Sequence, residues 1–171
     1  MLPNGPAIPS FDSALDMLTA CHGKIRRFAR LCERLARHTA EHGADEQAST
    51  AAASIVRYFT IAAPLHHADE EEDLFPALRA LGDDGLTSSM QDLEGDHDAL
   101  EALWKQVLPW LEAVQQGSAG PAPEALFLFA SRYVEHVDRE EREVFARAQG
   151  LPAPILQSMG RRMAVRRGAQ G

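Results

Sequence analysis

The sequence lacks any uninterrupted apolar run of about 18 residues, so no membrane-spanning helix is expected. Its start, Met1-Leu2-Pro3-Asn4-Gly5-Pro6, has neither the charged region nor the apolar region of a secretory signal, and a cytoplasmic location follows by default. Positive charge is scarce: 17 Lys and Arg against 25 Asp and Glu give a net charge of -8. That balance leaves no broad basic surface for nucleic acid. Cysteine is scarcer still. Cys21 and Cys32 fall in one helical stretch roughly 16 Å apart, beyond disulfide reach, and read as reduced core residues, with Cys21 beside His22 a candidate for redox sensitivity.

What is abundant is helical periodicity, in a chain of 171 residues that suits one core. Residues 1–9 hold three prolines and a glycine and predict an irregular arm, after which Ser10 can cap a helix. From Phe11 to about His42 the residues Leu15, Leu18, His22, Ile25, Ala29, Cys32 and Leu35 form one stripe. A second helix is expected over 45–81, with Ala52, Ile55, Val56, Phe59, Ala62, Ala63, His66, Glu70, Leu74 and Leu78 inward, and a kink where Pro64 removes a hydrogen bond. Pro76 predicts a further bend or an early end. Gly82-Asp83-Asp84-Gly85 reads as a turn, and Ser88 with Gln91 as a capping box for a third helix reaching Gln116. That helix turns Met90, Leu93, His97, Leu100, Trp104, Val107, Leu108 and Leu111 inward. The loop 117–123 precedes a fourth helix to about residue 148, with Leu126, Phe129, Tyr133, His136, Glu140 and Val144 on its inner side.

Four amphipathic segments joined by short loops predict an all-α, up-down-up-down four-helix bundle over residues 1–150. Residues 151–171 form a C-terminal extension with a short helix near 154–166. There Arg161, Arg162, Arg166 and Arg167 make the one basic cluster, either a solvated tail or lid on the acidic bundle or a surface for an anionic partner.

The chemistry lies in a repeated pattern, His-X-X-X-Glu-Glu-X-X-aliphatic-Phe, at His66–Phe75 and again at His136–Phe145. Residues four apart on a helix share a face, so each copy presents an imidazole beside a carboxylate. An isolated pair of this kind is ordinarily a surface contact worth a few tenths of a kcal/mol. Here each of the four helices also carries one histidine in its apolar stripe, namely His22, His66, His97 and His136, while the second and fourth add Glu70 and Glu140. Together these six residues are the expected ligands of two metal ions, iron foremost, with manganese or zinc also compatible. Each ion would take two histidines, the two glutamates would span both ions, and open positions would admit dioxygen, nitric oxide or peroxide. Ferritin-like di-iron proteins place the acid first, three residues before the histidine, so the reversed order here disfavours that class. The acidic neighbours Glu71, Glu72, Asp73, Glu141 and Glu143 read as a solvated face, some of them free to orient ligand histidines. His38 and His42 read as exposed residues complementing the end of the first helix.

These residues resemble the hemerythrin-like, HHE cation-binding family. The resemblance spans roughly Leu15 to Phe145 and is carried by His22, by His66-His67-X-X-Glu70-Glu71-X-X-Leu74-Phe75-Pro76, by Glu94-Gly95-Asp96-His97 and by His136-X-X-X-Glu140-Glu141. It implies a non-haem di-iron four-helix bundle with an oxo or hydroxo bridge, and maps the same six residues onto ligand positions. One departure stands out. The fifth histidine of oxygen-carrying members falls at Leu93, which leaves one iron short of a ligand unless His67, Glu94 or Glu101 substitutes. The expected protein is a monomer or homodimer that binds, senses or scavenges a small ligand or iron. A di-iron enzyme that activates dioxygen or removes peroxide is the alternative.

Overall fold

A computed structural model describes residues 13–168, so the predicted N-terminal arm and the Ser10 cap lie outside the described residues. Five helices and no strand are found among them. We number them α1 (Ala14–His42), α2 (46–79), α3 (Asp84–Gln115), α4 (124–148) and α5 (Ala153–Arg166). α1 packs on α2 and α4, and α3 packs on the same two, which sets α2 and α4 at opposite corners of an antiparallel bundle.

Local chemistry sets the helix ends. The Asp45 carboxylate accepts the Ala48 N–H at the start of α2, and Asp83 accepts that of Leu86 at the start of α3. The predicted capping box at Ser88 is therefore corrected: α3 begins five residues earlier, because Asp83 already caps it, and Ser88 is helical. Gly43 and Gly117 follow α1 and α3 at φ 76° and 75°, a left-handed conformation that glycine adopts without a Cβ penalty.

α2 is one continuous path interrupted by two π turns, Tyr58–Ala62 and Glu70–Leu74. Each closes at the residue preceding a proline: Ala63 N–H reaches back to the Tyr58 carbonyl before Pro64, and Phe75 N–H to that of Glu70 before Pro76. A wider turn accommodates the missing proline N–H without breaking the helix. Pro76 thus neither ends α2 nor stands alone as a bend. α4 carries a matching π turn at Glu141–Phe145 with no proline behind it.

The core is divided into two apolar clusters by a polar layer. One joins the second half of α1 (Ile25 to Ala36) to the first half of α2, the second half of α3 and the first half of α4. The other joins Leu18, Leu74, Phe75, Met90, Leu93 and Val144 at the opposite ends of the same helices, and is closed by Met159 and Met163 of α5. Between them lie His22, His66, Glu70, His97, His136 and Glu140, every one 5% exposed or less. Up-down-up-down topology explains the common height: the histidine stands early on α1, past the middle of α2, and midway on α3 and α4.

Candidate metal centre

All six predicted residues meet in this layer. His66 Nε2 lies 3.1 Å from Glu70 Oε1, and His136 Nε2 lies 3.3 Å from Glu140 Oε2, one helical turn along in each case. From the other helices His22 Nε2 reaches Glu140 at 3.2 Å and Glu70 at 3.5 Å, while His97 Nε2 reaches Glu70 at 3.5 Å and Glu140 at 3.8 Å. His97 Nε2 and His136 Nε2 stand 3.0 Å apart. The donors sort into two sets, His22, His66, Glu70 and Glu140, and His97, His136, Glu70 and Glu140, the two glutamates belonging to both.

Whether a cation fits is decided by what these atoms otherwise lack. His22 Nε2, both nitrogens of His66, His136 Nδ1 and all four carboxylate oxygens of Glu70 and Glu140 are buried without a hydrogen-bond partner among the described residues. Leaving such groups unmet costs about 1–3 kcal/mol each, more for charged ones. The separations match a shared ion: two donors about 2.1 Å from one centre and at right angles are about 3 Å apart. The donor set is imidazole and carboxylate, which suits iron, manganese or zinc.

Electrostatics point the same way. Burial opposes protonation of His22, yet the Glu140 and Glu70 carboxylates beside its Nε2 outweigh it and raise its pKa to about 9. For His66 burial is again overcome, chiefly by the charge of Glu70, and the value reaches about 10. For His97 the opposing partners are Glu140, Glu70 and Glu71, and it reaches about 11. Glu70 and Glu140 are buried, which alone would raise them, but the surrounding histidines hold both below the usual carboxylate range. Without a metal, protons occupy the place of positive charge.

The acids flanking the motif glutamates hold the imidazoles from behind. His97 Nδ1 donates to Glu71 at 2.5 Å, and His22 Nδ1 donates to Glu141 at 3.0 Å, which leaves each Nε2 facing the centre. Arg26 in turn braces Glu141 and Asp138. Asp96 stands 3.6 Å from His136 Nδ1. Phe145 stacks on His22 at 4.6 Å between centroids.

Not every sequence reading survives. Asp73 is not on a solvated face; it is 3% exposed and held by Arg162 and Arg166. The predicted basic cluster is a lid, since Arg166 Nη1 meets Asp69 at 2.5 Å and Arg167 Nη2 meets it at 2.6 Å. Asp69, fully buried, escaped sequence reasoning; the arginine cluster was its one signal. His38 is half-buried and bonded to Asp45 at 2.9 Å. Of the three proposed substitutes for a histidine at Leu93, Glu94 pairs with Arg79 at 2.8 Å and Glu101 with Lys105 at 2.6 Å, both away from the centre. His67 turns inward: its ring stacks on His97 at 3.8 Å, and its Nε2 is hydrogen-bonded to the Tyr133 hydroxyl at 3.1 Å. Burial, then the neighbouring His97, pushes the His67 pKa well below its ordinary value, so its imidazole is neutral.

Four helices closing on a buried cluster of histidines with two shared glutamates define a cation-binding bundle. The sequence matches the hemerythrin HHE cation binding domain over residues 13–148, and the chain belongs to that family. It is also similar to an uncharacterized protein of Haemophilus influenzae, 33% identical over 159 residues that cover 92% of each chain.

Proposed function

We propose that the domain holds two iron ions and binds, senses or scavenges a small ligand such as dioxygen or nitric oxide. The observation that carries this is the pairing of two donor sets through Glu70 and Glu140, in a layer where those carboxylates and His22 are 0% exposed and His66 is 1% exposed. A site so enclosed excludes any substrate larger than a few atoms from the ions themselves. Shared carboxylates suit paired cations, and the imidazole-rich set, with no thiolate among its donors, suits iron.

The residues divide the work. His22, His66, His97 and His136 would hold the ions as neutral imidazoles, and Glu70 and Glu140 would span them. Bound iron would supply reversible electron exchange with the small ligand. Glu71 and Glu141 fix the tautomers of His97 and His22 by accepting from Nδ1. The two apolar clusters above and below exclude water from the layer. A cleft lined by Phe59, Trp104 and Phe129, and by the acidic Glu71, Glu72 and Glu101, borders the layer at His67, His97 and Tyr133.

Anaerobic loading with ferrous iron, elemental analysis, and then exposure to oxygen or nitric oxide tests the reading. Two irons per chain and a visible charge-transfer band that appears with the ligand and disappears on its removal are expected. Less than one metal per chain refutes a metal centre, and repeated turnover of peroxide would move the protein to the enzymes.

A further inference from the structure

The two donor sets are related by exchange of the motif copies: His22 with His97, His66 with His136, Glu70 with Glu140. One inward histidine has no counterpart. The residue after His66 is His67, whereas the residue after His136 is Val137, fully buried in the apolar cluster. His67 offers a nitrogen within 4.8 Å of nitrogens from both His97 and His136, and these three make a set of their own. Nothing equivalent faces His22 and His66 from α4.

Resting on the di-metal reading above, we infer that His67 is a fifth histidine ligand, assigned to the ion shared by His97 and His136. The helix that supplies it is α2, not α3. Leu93, one turn before His97 on α3, lies in the apolar cluster on the far side of the layer among Leu18, Leu74 and Met90. A histidine there would displace apolar packing, while His67 approaches from the side of Phe59 and Tyr133, where the cleft borders the layer. The His67 and His97 rings stack at 3.8 Å, so a cation lying in the plane of the His97 ring would draw the His67 ring to turn a nitrogen toward it. Tyr133 is then a positioning residue whose hydroxyl holds His67 in place.

The consequence is an unequal pair. With Glu70 and Glu140 counted for both ions, the His97 side has five protein donors and the His22 side has four. The His22 side is therefore the one left with room for an exogenous ligand.

The substitution His67→Gln keeps a polar partner for Tyr133 but removes the imidazole, and cobalt(II) added to the metal-free protein reads the result. Wild type is expected to take two ions per chain. H67Q should retain one at wild-type affinity and bind the other at least about 10-fold more weakly, losing the same component of the cobalt absorption spectrum as His97→Gln. Relative to wild type, its loaded form should lose more melting temperature than its metal-free form, which loses only the stacking on His97. Two cobalt ions bound by H67Q with wild-type affinities and spectrum would overturn the assignment, as would an equal loss of melting temperature in the metal-free and loaded forms. Wild-type protein that takes up no cobalt would instead overturn the di-metal reading itself.

Discussion

The two copies of the histidine-glutamate motif do the same thing at the centre and different things at the periphery. Glu70 and Glu140 both face the layer, and both copies contain a π turn, at Glu70–Leu74 and Glu141–Phe145. In both, the second glutamate reaches a histidine on a neighbouring helix: Glu71 holds His97 and Glu141 holds His22. Even the residues preceding those histidines correspond, since Cys21 contacts His66 much as Asp96 approaches His136. The difference lies in the intervening positions. In the first copy Asp69 is fully buried under α5, whereas the corresponding residue of the second copy is Arg139, on a partly exposed face with Asp92 and Glu143. A repeated motif therefore specifies the ligands, and its variable positions specify how each half is enclosed.

Removing the shared feature should produce the largest effect. Glu70→Ala and Glu140→Ala each take a carboxylate from both donor sets, so either variant is expected to lose the coupled pair of ions, not one of them. Elemental analysis after anaerobic loading reads this, together with a melting temperature that no longer rises on adding metal. Retention of both ions by either variant would break the equivalence of the copies.

The peripheral difference predicts an inequality of stability. Arg166→Ala combined with Arg167→Ala leaves the buried Asp69 carboxylate without those partners, and losing the partner of a buried charge costs about 3–5 kcal/mol. Arg26→Ala removes the brace of the second copy, but Asp138 and Glu141 are 44% and 34% exposed, so about 0–1 kcal/mol is expected. Denaturant titration of the metal-free variants makes the comparison. Adding Asp69→Ala to the double arginine variant should recover part of the loss, because it removes the stranded charge. Equal costs in the two copies would mean that α5 merely rests on the bundle.

Much of this was legible in the sequence, and the exceptions share a cause. The inward stripes held for His22, Ile25, Ile55, Phe59, Leu93, Phe129 and Tyr133, because helical periodicity reports directly on which side chains lose water. The six central residues could be found because histidine and glutamate on an apolar face are conspicuous. Asp69 and Asp73 were not legible, since they are buried by a segment nearly a hundred residues away, and periodicity within one helix cannot see that partner. His67 was undecidable on α2 alone: its inward position comes from a long helix relaxed by π turns and from Tyr133 on α4. The start of α3 was misplaced because two capping signals competed, and Asp83 prevailed over Ser88.

The smallest expected effect concerns protons, and it tests whether both halves of the layer are charged alike before metal arrives. In the metal-free protein His22, His66 and His97 hold protons up to about pH 9, 10 and 11. A histidine with a raised folded pKa contributes stability that is complete below its unfolded value of about 6.5 and is lost as pH climbs through the folded value. Glu70 and Glu140, with depressed values, contribute stability that is present above about pH 4.3 and is lost as pH falls. The metal-free melting temperature should therefore decline from about pH 6.5 to 11, while the loaded protein holds steady across that window because the ions have replaced the protons. Loading at pH 7 must accordingly release protons, which a pH dye in weak buffer would record. His22 belongs to one donor set and His97 to the other, so His22→Gln and His97→Gln should each remove part of that release. If only one of them does, the two halves are not equivalent in the empty site, and the asymmetry introduced by His67 extends to the metal-free protein.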